Sequence, residues 1–251
     1  MTFPILEFDP AKESIIEPSL FYKLIPDAEF CVITYFREVI EKVCFEKNAK
    51  RIGTMRSEMG EHPLYTMEHL GHTIGFFHPG IGAPLAAGLF EEVIAHGFSK
   101  FVACGGAGVL QKDIQVGKII IPSSAVRDEG TSYHYLEPSR EVFISPDAVA
   151  VLAEELKQQK IEYNIGKTWT TDAFYRETPL KIAKRKEEGC LTVEMECSAL
   201  AAVAKFRNVK FAQYLYGGDD VSGEDWDHRG WTRCKVREKL FWASVNACLR
   251  L

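Results

Sequence analysis

The chain has 251 residues (28.3 kDa), is 46% hydrophobic and carries a net charge of −5 with a pI near 5.9. That is enough to bury one large core. Basic residues are interspersed with acidic ones, which argues against a nucleic-acid groove, and no apolar run approaches the length of a membrane span. Seven cysteines without a Cys-x-x-Cys pair fit a reducing cytoplasm better than a disulfide scaffold or a zinc site, so a cytoplasmic protein without a metal is expected. The N-terminus shows no basic-then-apolar signal pattern, and no Pro- or Ser-rich linker divides the chain. One domain over 1–251 is expected, with 1–29 as a divergent N-terminal segment.

In chain order, apolar runs and their punctuation predict a strand at Phe30 to Thr34 and a helix at Phe36 to Lys47. Strands at Pro63 to Glu68 and Thr73 to Phe77 follow, then a helix at Leu85 to His96 that stops at Gly97. Further strands are predicted at Lys100 to Ala103, Lys118 to Pro122, Ile165 to Thr170 and Lys210 to Tyr216. Further helices are predicted at Pro146 to Gln159, Leu180 to Glu187, Ser198 to Phe206 and Thr232 to Leu249. This alternation predicts an α/β fold with a largely parallel sheet between helices.

Two glycine-rich segments follow predicted strands: Gly80-Ile81-Gly82-Ala83-Pro84 and Cys104-Gly105-Gly106-Ala107-Gly108. A strand that turns through glycine into a helix points backbone N–H groups at an anion or a sugar hydroxyl, although glycine turns also serve plain chain reversal. Gly82, Gly105 and Gly106 are therefore the candidate anion positions, in one crevice at the strand ends. The stretch Val193-Glu194-Met195-Glu196 sets two carboxylates and a thioether ahead of the small-residue helix that begins near Ser198. It could be a ligand clamp or a solvated helix N-terminus favoured by the macrodipole. Cys104 and Cys197 lie beside the proposed site and read as buried small hydrophobes.

These blocks, with Arg127-Asp128-Glu129-Gly130-Thr131 and Thr171-Asp172-Ala173-Phe174-Tyr175, occur in an order that resembles the nucleoside phosphorylase-I family. That family comprises purine nucleoside phosphorylases, uridine phosphorylases and the related adenosylhomocysteine-type nucleosidases. The resemblance runs from about residue 30 to the C-terminus. It implies a single-domain three-layer fold, in which a twisted mixed sheet curls into a distorted barrel flanked by helices. It also implies a homodimer or homohexamer acting on a nucleoside in salvage, with no cofactor beyond inorganic phosphate as co-substrate.

By that resemblance Glu196 accepts hydrogen bonds from two ribose hydroxyls, Met195 packs on the sugar, and Glu194 completes the clamp. Phe174 offers a face for the nucleobase. Asp220, in Gly217-Gly218-Asp219-Asp220, takes the place of the aspartic acid that protonates a departing purine, and repulsion from Asp219 would raise its pKa toward an acid role. The other reading of Asp220 is a loop residue that caps its turn. Arg176-Glu177-Thr178 does not match the pyrimidine-reading pattern, so a purine nucleoside is expected.

The departures from the family concern phosphate. None of its three phosphate arginines is reproduced: the segment Thr34-Tyr35-Phe36-Arg37-Glu38-Val39, Gly60 and Ala103 stand in their places. Arg37 and Arg56 are near enough in sequence to be recruited. Phosphorolysis is favoured slightly on the strength of the glycine N–H groups, with hydrolysis and non-catalytic nucleoside binding as alternatives. Arg127, His78 and His134 are read as structural.

Overall fold

The computed structural model describes residues 3–230 and 235–251. Its centre is one ten-stranded sheet: β1 (Phe30–Thr34), β2 (Lys50–Ser57), β3 (Gly60–His69), β4 (His72–Phe77), β5 (Lys100–Val109), β6 (Ile119–Asp128), β7 (Glu141–Phe143), β8 (Tyr163–Thr171), β9 (Cys190–Glu194) and β10 (Lys210–Asp220). The strand order is β10-β6-β8-β9-β5-β1-β4-β3-β2, and β10 also pairs with β5. The β5–β10 pairing closes five strands, β5, β10, β6, β8 and β9, into a barrel, and β1 to β4 extend it as an open wing. The sheet is mixed rather than largely parallel: β5–β9, β6–β10 and the β2–β3–β4 meander are antiparallel.

Among the described residues six α-helices cover the sheet: α1 (Arg37–Glu46), α2 (Ala83–Ala95), α3 (Pro146–Gln158), α4 (Pro179–Glu187), α5 (Cys197–Arg207) and α6 (Val236–Cys248). The predicted helix from Thr232 starts outside the described residues and continues as α6. Every side chain of β1 is buried, as a strand covered on both faces requires. In α5 the first eight residues, Cys197 to Ala204, are all buried, and their small size lets the helix lie close to α2. Arg207 and Asn208 end it, Asn208 taking the left-handed conformation (φ 57°) of a helix stop.

Three strands escaped the periodicity reading: the exposed edge β2, the three-residue β7 and the short β9. The second glycine segment is also corrected. Gly105 to Gly108 are not a turn but the second half of β5, paired with β10 on one side and, at Gly108, with β9 on the other. On the side away from β10 the pairing with β1 ends at Cys104 and that with β9 begins at Gly108, so Gly105 and Gly106 stand in the gap between those strands. The missing side chains there serve close approach. A Cβ on Gly106 would stand 3.0 Å from the Tyr216 ring, and one on Gly108 3.0 Å from Val193.

Candidate active site

The site is assembled where β9 hands over to α5. Glu194, the last residue of β9, is buried and accepts hydrogen bonds from the N–H groups of Glu196 (2.8 Å) and Cys197 (2.7 Å) and from Thr170 Oγ1 (2.6 Å). It therefore does the capping work at the start of α5 and holds the junction in one conformation. Ser198 reinforces it: its N–H donates to Thr170 Oγ1 and its hydroxyl to Glu129.

With those N–H groups already engaged, the Glu196 carboxylate is free to turn away from its own helix. It receives the Gly82 N–H at 2.5 Å, from the turn where Gly82 has φ +88°, a backbone conformation natural to glycine. Glu196 is only 6% exposed. Burial, then the charge of Glu194, pushes its pKa up to about 8, while burial likewise raises that of Glu194.

Around this carboxylate lies a cavity of about 330 Å³, within the range of small-molecule sites. Its walls include Tyr35, Gly105, Gly106, Phe174, Glu177, Met195, Gln213, Asp219 and Arg237. Glu194, Glu196, Met195 and Phe174 are thus brought to one cavity. Phe174 sits on a single 3-10 turn (Phe174–Arg176) and is 51% exposed, which rules out plain core packing. A larger hollow of about 450 Å³ between α3, α5 and the C-terminal residues has mainly apolar walls with Lys205, Lys210 and Arg250, and contains none of the candidates.

Asp220 does not join them. Its carboxylate pairs with Arg229 at 2.7 Å and accepts the Ser222 N–H at 2.7 Å. Burial alone would raise its pKa, but Ser222 and Arg229 hold it below the ordinary carboxylate value, so the expected upward shift is reversed. The aspartate that lines the cavity is Asp219, one of whose oxygens accepts the Trp226 Nε1–H at 2.7 Å. A register shift explains the exchange. Three steps of β10, Gly217 to Asp220, stand against two of β5, Ala107 to Val109, and one extra residue swaps which of two neighbours faces inward.

Besides Glu196 beside Glu194, a further carboxyl sits against an acidic neighbour in the cavity: Glu177, which sequence reasoning passed over. Burial, helped by the charge of Asp219, pushes its pKa up to about 7. Its one sequence signal was its place immediately after Phe174-Tyr175-Arg176.

Arg37 and Arg56 are not recruited either. Arg37 opens α1 with its side chain 85% exposed and pairs with Glu41 one turn on. Arg56 lies on the β2–β3 hairpin, 78% exposed, beside Glu61. Gly82 has given its N–H to Glu196, whereas Gly105 and Gly106 line the cavity from within β5. Among the described residues, the guanidinium on the cavity wall is that of Arg237, from α6. It donates to Glu38 (2.8 Å) and to the Tyr216 hydroxyl (2.9 Å).

Arg127 is a structural hub as expected, but it holds the Leu136 and Glu137 carbonyls and the hydroxyls of Ser132 and Ser139 rather than its neighbouring carboxylates. His78 accepts the Gly80 N–H, and Cys104 and Cys197 are fully buried with raised pKa values, inert as nucleophiles. Among the described residues no group of three or more His, Cys, Asp or Glu could hold a metal, and no helix is long and apolar enough to cross a membrane.

Residues 30–241 match the family model described as the phosphorylase superfamily. A guanosine phosphorylase from Halorubrum lacusprofundi is 28% identical over 150 residues, which is 60% of this chain and 62% of that protein, so less than two thirds of the relative is spanned. Among solved structures, purine nucleoside phosphorylase from Toxoplasma gondii in complex with immucillin-H superposes with a TM-score of 0.76 at 21% identity, covering 89% of this chain and 92% of that one. The 5'-methylthioadenosine/S-adenosyl homocysteine nucleosidase of Campylobacter jejuni superposes with a TM-score of 0.73 at 15% identity, covering 89% of this chain and all (100%) of the other. These last two likenesses concern the fold.

Proposed function

The chain belongs to the phosphorylase superfamily, and from that premise we propose that it cleaves the N-glycosidic bond of a purine nucleoside. The observation that carries this reading is the buried Glu196 carboxylate, locked by Gly82 and the α5 junction, in one cavity with an exposed aromatic face at Phe174 and a carboxyl at Asp219.

Cleavage puts positive charge on the sugar and negative charge on the leaving base. Glu196 accepts the vicinal ribose hydroxyls and Met195 packs beneath them. The base stacks on Phe174. Asp219, with Glu177 beside it, replaces Asp220 as the group that meets the base and delivers its proton.

The acceptor we favour is water. Among the described residues, four carboxyl groups, Glu177, Glu194, Glu196 and Asp219, line the cavity against one guanidinium, Arg237, which already serves Glu38 and Tyr216. A phosphate dianion would enter a predominantly acidic site without the charge-assisted bonds that normally hold it, each worth about 1.5–3 kcal/mol. Phosphorolysis is the second reading, favoured by the names of the relatives. Product analysis by NMR with inosine, in phosphate and in phosphate-free buffer, separates the two. Free ribose at equal rates supports hydrolysis, and ribose 1-phosphate formed in proportion to phosphate supports the alternative.

A further inference from the structure

Two polar side chains on the cavity wall have no role in the scheme above. Tyr35 follows β1 directly, and its N–H donates to the Cys104 carbonyl at 3.2 Å. Gln213 lies in β10. Ile33, Ala103 and Gln213 share one row across β1, β5 and β10, so Gln213 and, two residues beyond Ile33, Tyr35 leave the sheet on the same face. Between them is Gly105, which has no side chain. The Tyr35 ring lies across that gap, 3.0 Å from where a Cβ on Gly105 would stand.

Both polar ends are buried. Gln213 is 1% exposed, and neither its Oε1 nor the Tyr35 hydroxyl has a hydrogen-bond partner among the described residues. Tyr35 lies close enough to Glu196 for each to influence the other's ionisation, without a hydrogen bond of good geometry between them. Buried polar atoms on a cavity wall without partners are rare in folded proteins and point to a ligand that completes them.

We propose that the Tyr35 hydroxyl and the Gln213 amide hold the acceptor water against the anomeric carbon of the ribose that Glu196 clamps. The proposal rests on the nucleoside-cleaving reading and names the acceptor site within it. Tyr35, Gln213 and Glu196 supply three polar partners, the usual number for an ordered buried water. The water oxygen forms its bond to C1′ as the C1′–N bond breaks. The bonding pair leaves with the base, which takes a proton from the carboxyl groups at its end of the cavity, and the proton released by the water passes to the Glu196 carboxylate. In the same stroke Tyr35, filling the space over Gly105, takes up room a phosphate would need.

The test is steady-state cleavage of inosine by Tyr35→Phe and Gln213→Leu, with a parallel series containing methanol as a competing acceptor. Each substitution removes one hydrogen bond to the nucleophile, so kcat is expected to fall about ten- to hundredfold while KM stays within about threefold. The ratio of methyl riboside to ribose should rise in both variants, a change that a purely structural role would not produce. Should one variant fail to fold, the partition ratio in the other decides. Wild-type kcat and partitioning in both variants overturns the proposal, as does ribose 1-phosphate as the wild-type product. A wild-type protein that releases no base from any nucleoside strikes the nucleoside-cleaving reading itself instead.

Discussion

Replacing Glu196 by Gln isolates the charge of the proposed sugar clamp while keeping its shape and its ability to accept the Gly82 N–H. Two charge-assisted hydrogen bonds to ribose hydroxyls are together worth about 3–6 kcal/mol. Because burial raises the Glu196 pKa to about 8, ionising it at pH 7 offsets roughly 1 kcal/mol of that. The net loss in the variant is then about 2–5 kcal/mol, a fall of roughly tens to thousands of fold in kcat/KM. The assay is base release from inosine and from 2′-deoxyinosine, wild type against Glu196→Gln. With only one hydroxyl of the pair left to hold, the deoxy substrate should lose markedly less on substitution. Equal losses on the two substrates would refute the clamp and leave Glu196 as a structural tie between Gly82 and α5.

Asp219→Asn should slow natural purine nucleosides by about a hundredfold or more, within the range of general-acid catalysis, while sparing nucleosides whose leaving group needs no proton. Equal losses on both substrate types would make Asp219 structural. Asp220→Asn should leave kcat nearly unchanged and lower the melting temperature, because it breaks the partly buried pair with Arg229. A large kcat effect with an unaltered melting temperature would restore Asp220 to the chemistry. Phe174→Ala should raise KM by about tenfold, the cost of losing one base–aromatic stack, and an unchanged KM would remove it from the base site. The pKa of Glu196 is raised on folding, so its contribution to stability is complete below the unfolded carboxylate value and is lost as pH rises toward about 8. Denaturant titrations of the ligand-free protein should therefore show stability falling between about pH 5 and pH 8, and Glu196→Gln should flatten that slope. A slope of the same size in the variant would assign it to Glu194 or Glu177.

The helices were legible because their signals are local: Pro179 and Gly189 bracket α4 in the sequence much as they do in space, and α5 announces itself through its run of small residues. That Glu194, Met195 and Glu196 share one cavity was legible for a similar reason, since they are neighbours in the chain. Its division of labour was not. That Glu194 caps α5 and thereby frees Glu196 depends on Thr170, Ser198 and Gly82, which come from three other places in the fold. Asp219 and Asp220 are indistinguishable to a reader of alternation, because the register shift that orients them is a property of β10 against β5. Gly105 to Gly108 read as a turn because glycine has no side-chain pattern of its own. Only the rings of Tyr35 and Tyr216 and the side chain of Val193 packed against them show why side chains are absent there. Arg37 and Arg56 looked recruitable from their numbers alone, whereas helix phase and hairpin direction send both into solvent.

The most direct test of the central claim is base release from a panel of purine and pyrimidine nucleosides in phosphate-free buffer, with Glu196→Gln run alongside the wild type. The account predicts that the wild type liberates a purine base and free ribose, that added phosphate leaves the rate unchanged, and that the variant is slower by the factor worked out above. Nucleoside binding without any base release, in phosphate or without it, would contradict the account and make the cavity a receptor site.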